Sequence, residues 1–147
     1  MTALRAARST DAGKVGAILT EFVATTDWMP QLHSGAEDIA HAGQLITRGW
    51  VTVAEVEGDV IGFAACDGED LDALYVARSQ RGQGVGTALL HHLQKERAVL
   101  KLWTFQANLA AQNFYLKHGF VEQERTDGAN TDEGLPDIRF QWRKGSL

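Results

Sequence analysis

The stretch that most constrains this chain is Arg81-Gly82-Gln83-Gly84-Val85-Gly86-Thr87, a glycine-rich turn between a strand-like run and an amphipathic helix. Glycine accepts positive φ freely and lets the main chain come close to a ligand. The helix that follows offers its unpaired N–H groups and the positive end of its dipole. Together these predict a phosphate or pyrophosphate seat at residues 82–87, with Gln83, Val85 and Thr87 supplying main chain between the glycines. A glycine turn of purely structural role stays open. Two familiar nucleotide loops do not fit. G-x-G-x-x-G counted from Gly82 ends on Thr87, and it should open the first βα unit, whereas β-rich runs precede this one. No G-x-x-x-x-G-K-[ST] string occurs.

The rest of the chain reads as alternating elements. Residues 3–8 suit a short strand, and Ser9-Thr10-Asp11 offers cap chemistry for a helix. Val15, Ile18, Leu19, Phe22 and Val23 in that helix follow the i, i+3, i+4, i+7, i+8 spacing. Residues 26–35, with Pro30, read as a loop and 37–47 as a second helix. Residues 50–57, 59–66 and 71–76 form a three-strand meander, turning at Glu57-Gly58-Asp59 and Asp67-Gly68. Helical spacing resumes at Val85, Ala88, Leu89, His92 and Leu93, and residues 99–106 return to strand. A helix over 109–118 ends at Gly119. A strand starts at 120–124, a polar loop spans 127–134, and a last strand places Ile138, Phe140 and Trp142 on one face. The order β-α-α-β-β-β-α-β-α-β-β predicts an α+β or α/β sheet with packed helices, one domain over 1–147.

Composition closes off other classes. A chain of 147 residues with 44% apolar and 22% charged residues is ordinary for a globular domain. Its single cysteine, Cys66, cannot form an intramolecular disulfide and reads as a small buried residue. There is no apolar run near the ~20 residues of a membrane span, nor an apolar signal core, so a cytoplasmic location is expected. A net charge of −5 argues against nucleic acid as the main partner. The five histidines show no metal-ligand spacing, so no metal is expected. Arg78, Arg81, Lys117 and His118 cluster around the glycine turn and the helix after it, as a polyanionic ligand would need. Solvated surface residues would look the same.

Arg81-x-x-Gly84-x-Gly86 resembles the Q/R-x-x-G-x-G/A signature of the GNAT acetyltransferase superfamily, and it follows Leu74-Tyr75-Val76 at that family's usual distance. Asn108-x-x-Ala111-x-x-Phe114-Tyr115-x-x-x-Gly119-Phe120 resembles the second family signature. The resemblance implies the GNAT fold: a mixed, mostly antiparallel twisted sheet of about seven strands with about four helices. Two parallel strands, 70–76 and 99–106, would splay apart to admit acetyl-coenzyme A. It implies that the loop amides hold the pyrophosphate and that residues 74–76 pair with the pantetheine arm. Asn108 would cap or tether the pantetheine side, Phe114 would pack near it, and Tyr115 would point its hydroxyl at the thioester sulfur.

The implied activity is direct transfer of an acetyl group from the thioester to an amine, with Tyr115 as the acid. Strand alternation predicts that Asp70, Asp72, Leu74 and Val76 share one face. The family's base position falls on Asp70, and Asp72 lies closer to the splay. Both acids are equally readable as solvated strand-edge residues. The loop Trp28-Met29-Pro30-Gln31-Leu32-His33 sits where family members form acceptor sites, which makes Trp28 and His33 candidate substrate contacts. Asp132, Glu133 and Asp137 can attract a cationic amine, or keep an edge strand soluble. Trp50 and Trp103 read as core. A small-molecule amine is the expected acceptor. A protein or peptide amine, a non-catalytic acyl-CoA-binding module and a homodimer stay open.

Overall fold

A computed structural model describes residues 2–145. The elements are β1 (Ala3–Ala6), a 3-10 turn (Ser9–Asp11), α1 (Ala12–Ala24), α2 (Gly35–Thr47), β2 (Val51–Val56), β3 (Asp59–Asp67) and β4 (Asp70–Val76). After a second 3-10 turn (Arg78–Gln80) come α3 (Val85–Lys95), β5 (Val99–Phe105), α4 (Leu109–Lys117), β6 (Val121–Arg125) and β7 (Asp137–Arg143). The strands form one sheet in the order β1-β2-β3-β4-β5-β7-β6. Every neighbouring pair is antiparallel except β4–β5, which is parallel. The predicted order of elements and the mixed α/β sheet are both present.

Each sheet face has its own core. On one face α3 and α4 bury Leu89, Leu90, Leu93 and Tyr115 against Leu71, Leu100, Ile138 and Phe140. On the other, α1 and α2 bury Val15, Ile18 and Leu45 against Val53, Phe63 and Ala65. Burying a side chain of this size is worth about 1.5–3 kcal/mol. The helices α1 and α2 cross at Gly16, where a Cβ would lie 2.6 Å from the Ile39 main chain. Any side chain there would push the helices apart. That crossing sets where α2 stands over the cavity described below.

The α1/α2 layer stops at β4. Beyond it Trp103 on β5 is 49% exposed and carries Arg139 over its ring at 5.9 Å. The expectation of a core Trp103 is therefore corrected: among the described residues no helix covers β5 at this position. Trp50 precedes β2, half-buried beneath the Arg48 guanidinium. Cys66 is buried, and burial pushes its thiol pKa up, as an inert core residue requires.

The first helix also starts differently from expectation. Asp11 stands at the N-cap position of α1, but its side chain makes no capping bond there; its carboxylate turns back to accept from the Arg8 N–H at 2.7 Å. It also accepts from the Arg5 guanidinium at 2.8 and 3.0 Å, so the chain leaves β1 at Ala6 rather than at residue 8. The Arg5 guanidinium, with the Arg8 amide, holds the buried Asp11 carboxyl below the usual carboxylate range in spite of its desolvation. A depressed folded pKa stabilises the fold above the unfolded value of about 3.9, and the gain is lost as pH falls through the folded value. Asp11→Asn should accordingly lower Tm at pH 7. The gap to the wild type should narrow below about pH 4, as a pH series of thermal melts would show.

Candidate functional site

The site begins with an irregularity in β4. Opposite β3, Ala65 pairs with Ala73, but the next residue, Cys66, pairs with Leu71. Leu71 and Asp72 together face one residue, which is a β-bulge at Asp72. The extra residue breaks the period of two. Leu71, Leu74 and Val76 therefore lie against the α3/α4 core, while Ala73 and Tyr75 lie against the α1/α2 core. The prediction that Asp70, Asp72, Leu74 and Val76 share a face is overturned by this bulge.

Beyond the bulge β4 and β5 separate. Their only ladder partners among the described residues are Asp70 and Lys101, and the Lys101 N–H donates to the Glu69 carbonyl at 2.8 Å. The Ala77 N–H donates to Ile61 on β3 at 2.8 Å. Antiparallel pairs alternate, so the Leu74 and Val76 main-chain groups point away from β3, into the gap toward β5. On β5 the Gln106 N–H bonds Pro136 at 2.9 Å, so the same alternation turns the Trp103 main chain toward that gap. A narrow cleft results, lined by Asp72, Leu74, Tyr75, Thr104, Asn108 and Tyr115 among others.

At one end of the splay lies the glycine turn. Gly82 and Gly84 have φ of +77° and +82°, and a Cβ built on either meets nothing within 4 Å. None of the six main-chain amides from Gly82 to Thr87 finds an acceptor among the described residues; the next, Ala88, bonds Gly84 at 3.0 Å. Six unpaired N–H groups in sequence at a helix N-terminus form an anion seat. Arg81 turns back, its Nε donating to the Val76 carbonyl at 3.2 Å. Lys117 is exposed at the end of α4. His118 meets Thr87 Oγ1 at 3.3 Å, and burial together with His91 and Lys117 pushes its pKa down.

Helix α4 carries the second group of residues. The Asn108 carboxamide oxygen caps it, accepting from the Ala111 N–H at 3.0 Å. Phe114 packs on the first turn of α3, where a Cβ on Gly86 would lie 3.6 Å from its ring. Tyr115 is 8% exposed and wedged between Phe114, Phe120 and Phe140. Burial raises its hydroxyl pKa far above the ordinary value, so the proton stays on. Among the described residues that hydroxyl has no hydrogen-bond partner.

A larger cavity of about 660 Å³ opens on the α1/α2 side, and Asp72 and Tyr75 line both it and the cleft. His33 lines this cavity, exposed and 4.0 Å from Glu37. Trp28 does not; its ring bridges Phe22 at 6.2 Å and Phe105 at 5.8 Å, while Phe22 meets Tyr75 at 4.9 Å. The row Tyr75–Phe22–Trp28–Phe105 thus spans the splay from β4 to β5. Phe22 and Phe105 were missed as site residues because the contacts Phe22–Tyr75 and Trp28–Phe105 are long-range and only the helical spacing of Phe22 was visible. Burial pushes the Tyr75 hydroxyl up to about 12, with Glu133 and Asp72 adding to the rise. Asp132 and Glu133 line the cavity, but Asp137 does not: it is buried, bonded to Thr126 Oγ1. Asp70 stands at the closed end of the splay, where it lines a separate pocket with Asp67, Asp72 and Lys101, and it lines neither the cleft nor the larger cavity.

A mixed sheet opened at its one parallel pair, with an anion seat at the opening, is the architecture of N-acetyltransferases. The solution structure of apo YjaB from Escherichia coli matches with a TM-score of 0.80 at 24% identity, over 97% of each chain. YncA from Salmonella typhimurium, solved with its cofactor acetyl-CoA, matches with a TM-score of 0.77 at 19% identity, over 100% of this chain and 96% of that one. Residues 47–122 match the acetyltransferase (GNAT) domain, just over half of the sequence. The chain belongs to that family. It is also 33% identical over 78 residues to the peptidyl-lysine N-acetyltransferase YjaB of Salmonella typhimurium, covering 53% of each chain. The chain spans about half the length of the curated relatives it matches.

Proposed function

We propose that this protein transfers an acetyl group from acetyl-CoA to an amine. The observation that carries the reading is the row of unpaired amides at residues 82–87 at one end of the splay, whose cleft is lined by the largely buried Tyr115 with its hydroxyl unpartnered among the described residues. The residues present suit a pyrophosphate with a linear arm: Gly82 and Gly84 leave open space above the amides, and the β4 edge turns the Leu74 main chain and the Val76 N–H toward the gap, the Val76 carbonyl being held by Arg81. Acetyl-CoA, when bound, supplies the activated acyl carbon as a thioester.

The rest falls to the chain's own groups. The amides of residues 82–87 bind the phosphates, and the inward-facing main chain of Leu74 and Val76 holds the arm and polarises the carbonyl. Ala111 walls the cleft, and Phe114 packs on the first turn of α3 beside the amides. The Tyr115 hydroxyl, kept protonated by burial, gives its proton to the leaving sulfur. The acceptor enters from the α1/α2 side past Tyr75. An alkylammonium has a pKa of about 10.4, so one proton must leave before attack; Asp72 or water ordered by it takes that proton. The nitrogen's next proton offsets the one Tyr115 gives up. An ammonium and a thioester thus become an amide, a thiol and a released proton.

The acceptor we favour is a small-molecule amine. A polypeptide lysine is the second reading, favoured by the likeness to peptidyl-lysine N-acetyltransferases over about half the chain. Calorimetric titration with acetyl-CoA and with CoA, followed by thiol-release assays on amines and lysine peptides, tests the function. Failure to bind either would sink it.

The two strand acids separate in the same assay. Asp72 lines the cleft and Asp70 does not, which reverses the order that the family position suggests. With saturating amine the rate should rise with pH to a plateau. Asp72→Asn should depress that plateau roughly 10-fold or more, and Asp70→Asn should leave it near wild type. An unaltered profile in both variants would assign deprotonation to solvent.

A further inference from the structure

The cavity beside the cleft has a one-sided chemistry. Five carboxylates line it, Glu37, Asp38, Asp72, Asp132 and Glu133, and no lysine or arginine does. Glu37 and Asp38 are already engaged, with the Ser34 N–H at 2.9 Å and the Thr20 hydroxyl at 2.7 Å, and the basic groups in the lining are His33, 4.0 Å from Glu37, and His41. Among the described residues Asp72, Asp132 and Glu133 have no hydrogen-bond or ion-pair partner. The floor between the acids is apolar, with Leu19, Phe22 and Met29.

Two further observations point to a ligand there. Asp72 and Tyr75 belong to both the cavity and the cleft, so a molecule in one reaches the other. In the cleft waits Tyr115, 8% exposed with its hydroxyl unpartnered. The acidic loop is also held in place. Thr131 Oγ1 accepts from the Leu135 N–H at 3.0 Å, and its one proton lies between the Gly128 and Leu135 carbonyls at 3.0 and 3.2 Å. Gly128, at φ +84°, packs so closely on Leu135 that a Cβ would lie 2.3 Å from its carbonyl carbon.

We infer that the acceptor is a linear aliphatic polyamine, taken lengthwise into this cavity. The inference rests on the acetyltransfer reading above. One primary amine sits at Asp72 and Tyr75, facing the cleft. Its methylenes lie over the apolar floor, as a lysine stem lies over apolar surface. A second ammonium group meets Asp132, Glu133 and the acids of α2. An amine with one charge leaves those carboxylates unanswered. The net charge of −5 would steer such a polycation toward the protein.

The test compares the full chain's thiol-release kinetics on spermidine, putrescine, butylamine and a lysine peptide, beside calorimetry with acetyl-CoA. Spermidine should exceed butylamine in kcat/KM by roughly 100-fold, a preference that falls as salt rises. The paired change Asp132→Asn with Glu133→Gln should raise the spermidine KM at least 10-fold more than the butylamine KM. Glu133→Asp should restore part of the difference. Equal kcat/KM for spermidine and butylamine, or turnover of the lysine peptide alone, would overturn the polyamine assignment and leave the enzyme reading standing. The same holds if acetyl-CoA binds but no amine reacts. Absence of acetyl-CoA binding would remove both.

Discussion

Gly84→Glu is expected to weaken acetyl-CoA binding at least about 100-fold, the loss of two or more charge-assisted hydrogen bonds. The residue stands at φ +82°, where an L side chain is strained, and between amides that have no internal acceptor. Its Cβ would meet no protein atom within 4 Å, so the new carboxylate enters only the space above the amides. There it repels phosphate and competes for the same N–H groups. Gly84→Ala separates the causes, since it carries the backbone strain without the charge and should bind between wild type and Gly84→Glu. Calorimetry gives the affinities, and thermal melts confirm that each variant is folded. Near-normal binding by Gly84→Glu would move the phosphates elsewhere.

Tyr115→Phe should behave in the opposite way. Turnover should fall roughly 10²–10⁴-fold if its hydroxyl is the acid, with acetyl-CoA affinity within about threefold of wild type, because one neutral hydrogen bond is worth little. Stability should hold or rise slightly. The hydroxyl has no partner among the described residues, so its removal strands no donor or acceptor, and the ring keeps its contacts with Phe114, Phe120 and Phe140. Single-turnover kinetics are the right measurement, since slow product release would mask a chemical defect. A full chemical rate in the variant would reduce Tyr115 to packing.

The two glycine and Asn-x-x-Ala signatures were legible because each needs only local chain: a loop with positive φ, a helix start, a capping side chain. Helix α2 carries an equally local signal that went unread. Ser34 and Glu37 form a reciprocal capping box, which starts the helix at Gly35 rather than at residue 37. The bulge at Asp72 lies beyond that kind of reading. A period-two pattern assumes an unbroken strand, and nothing in Asp70-Leu71-Asp72-Ala73 announces that β3 gives it one partner for two residues. That single extra residue decides which acid reaches the cleft. The aromatic row and the exposed Trp103 depended on where the α1/α2 layer ends, which is set by packing between distant elements. The pairing of Asp11 with Arg5 needed the two chain segments already folded together.

The separation of β4 from β5 leaves an interior edge in the middle of a seven-stranded sheet. Without a ligand, Leu74 and Val76 lack the strand-to-strand protection that their neighbours enjoy, so their amides should exchange with deuterated solvent faster than those of β3. A ligand arm lying along β4 would slow that exchange locally. It would also raise the melting temperature of the whole chain, since a ligand that binds only the folded state adds about 2.7 kcal/mol at one hundred times its Kd. The sheet on either side, whose β4–β5 ladder among the described residues is the pair Asp70 and Lys101, would then unfold as one cooperative unit. Its durability in a cell would follow the supply of the molecule that completes it.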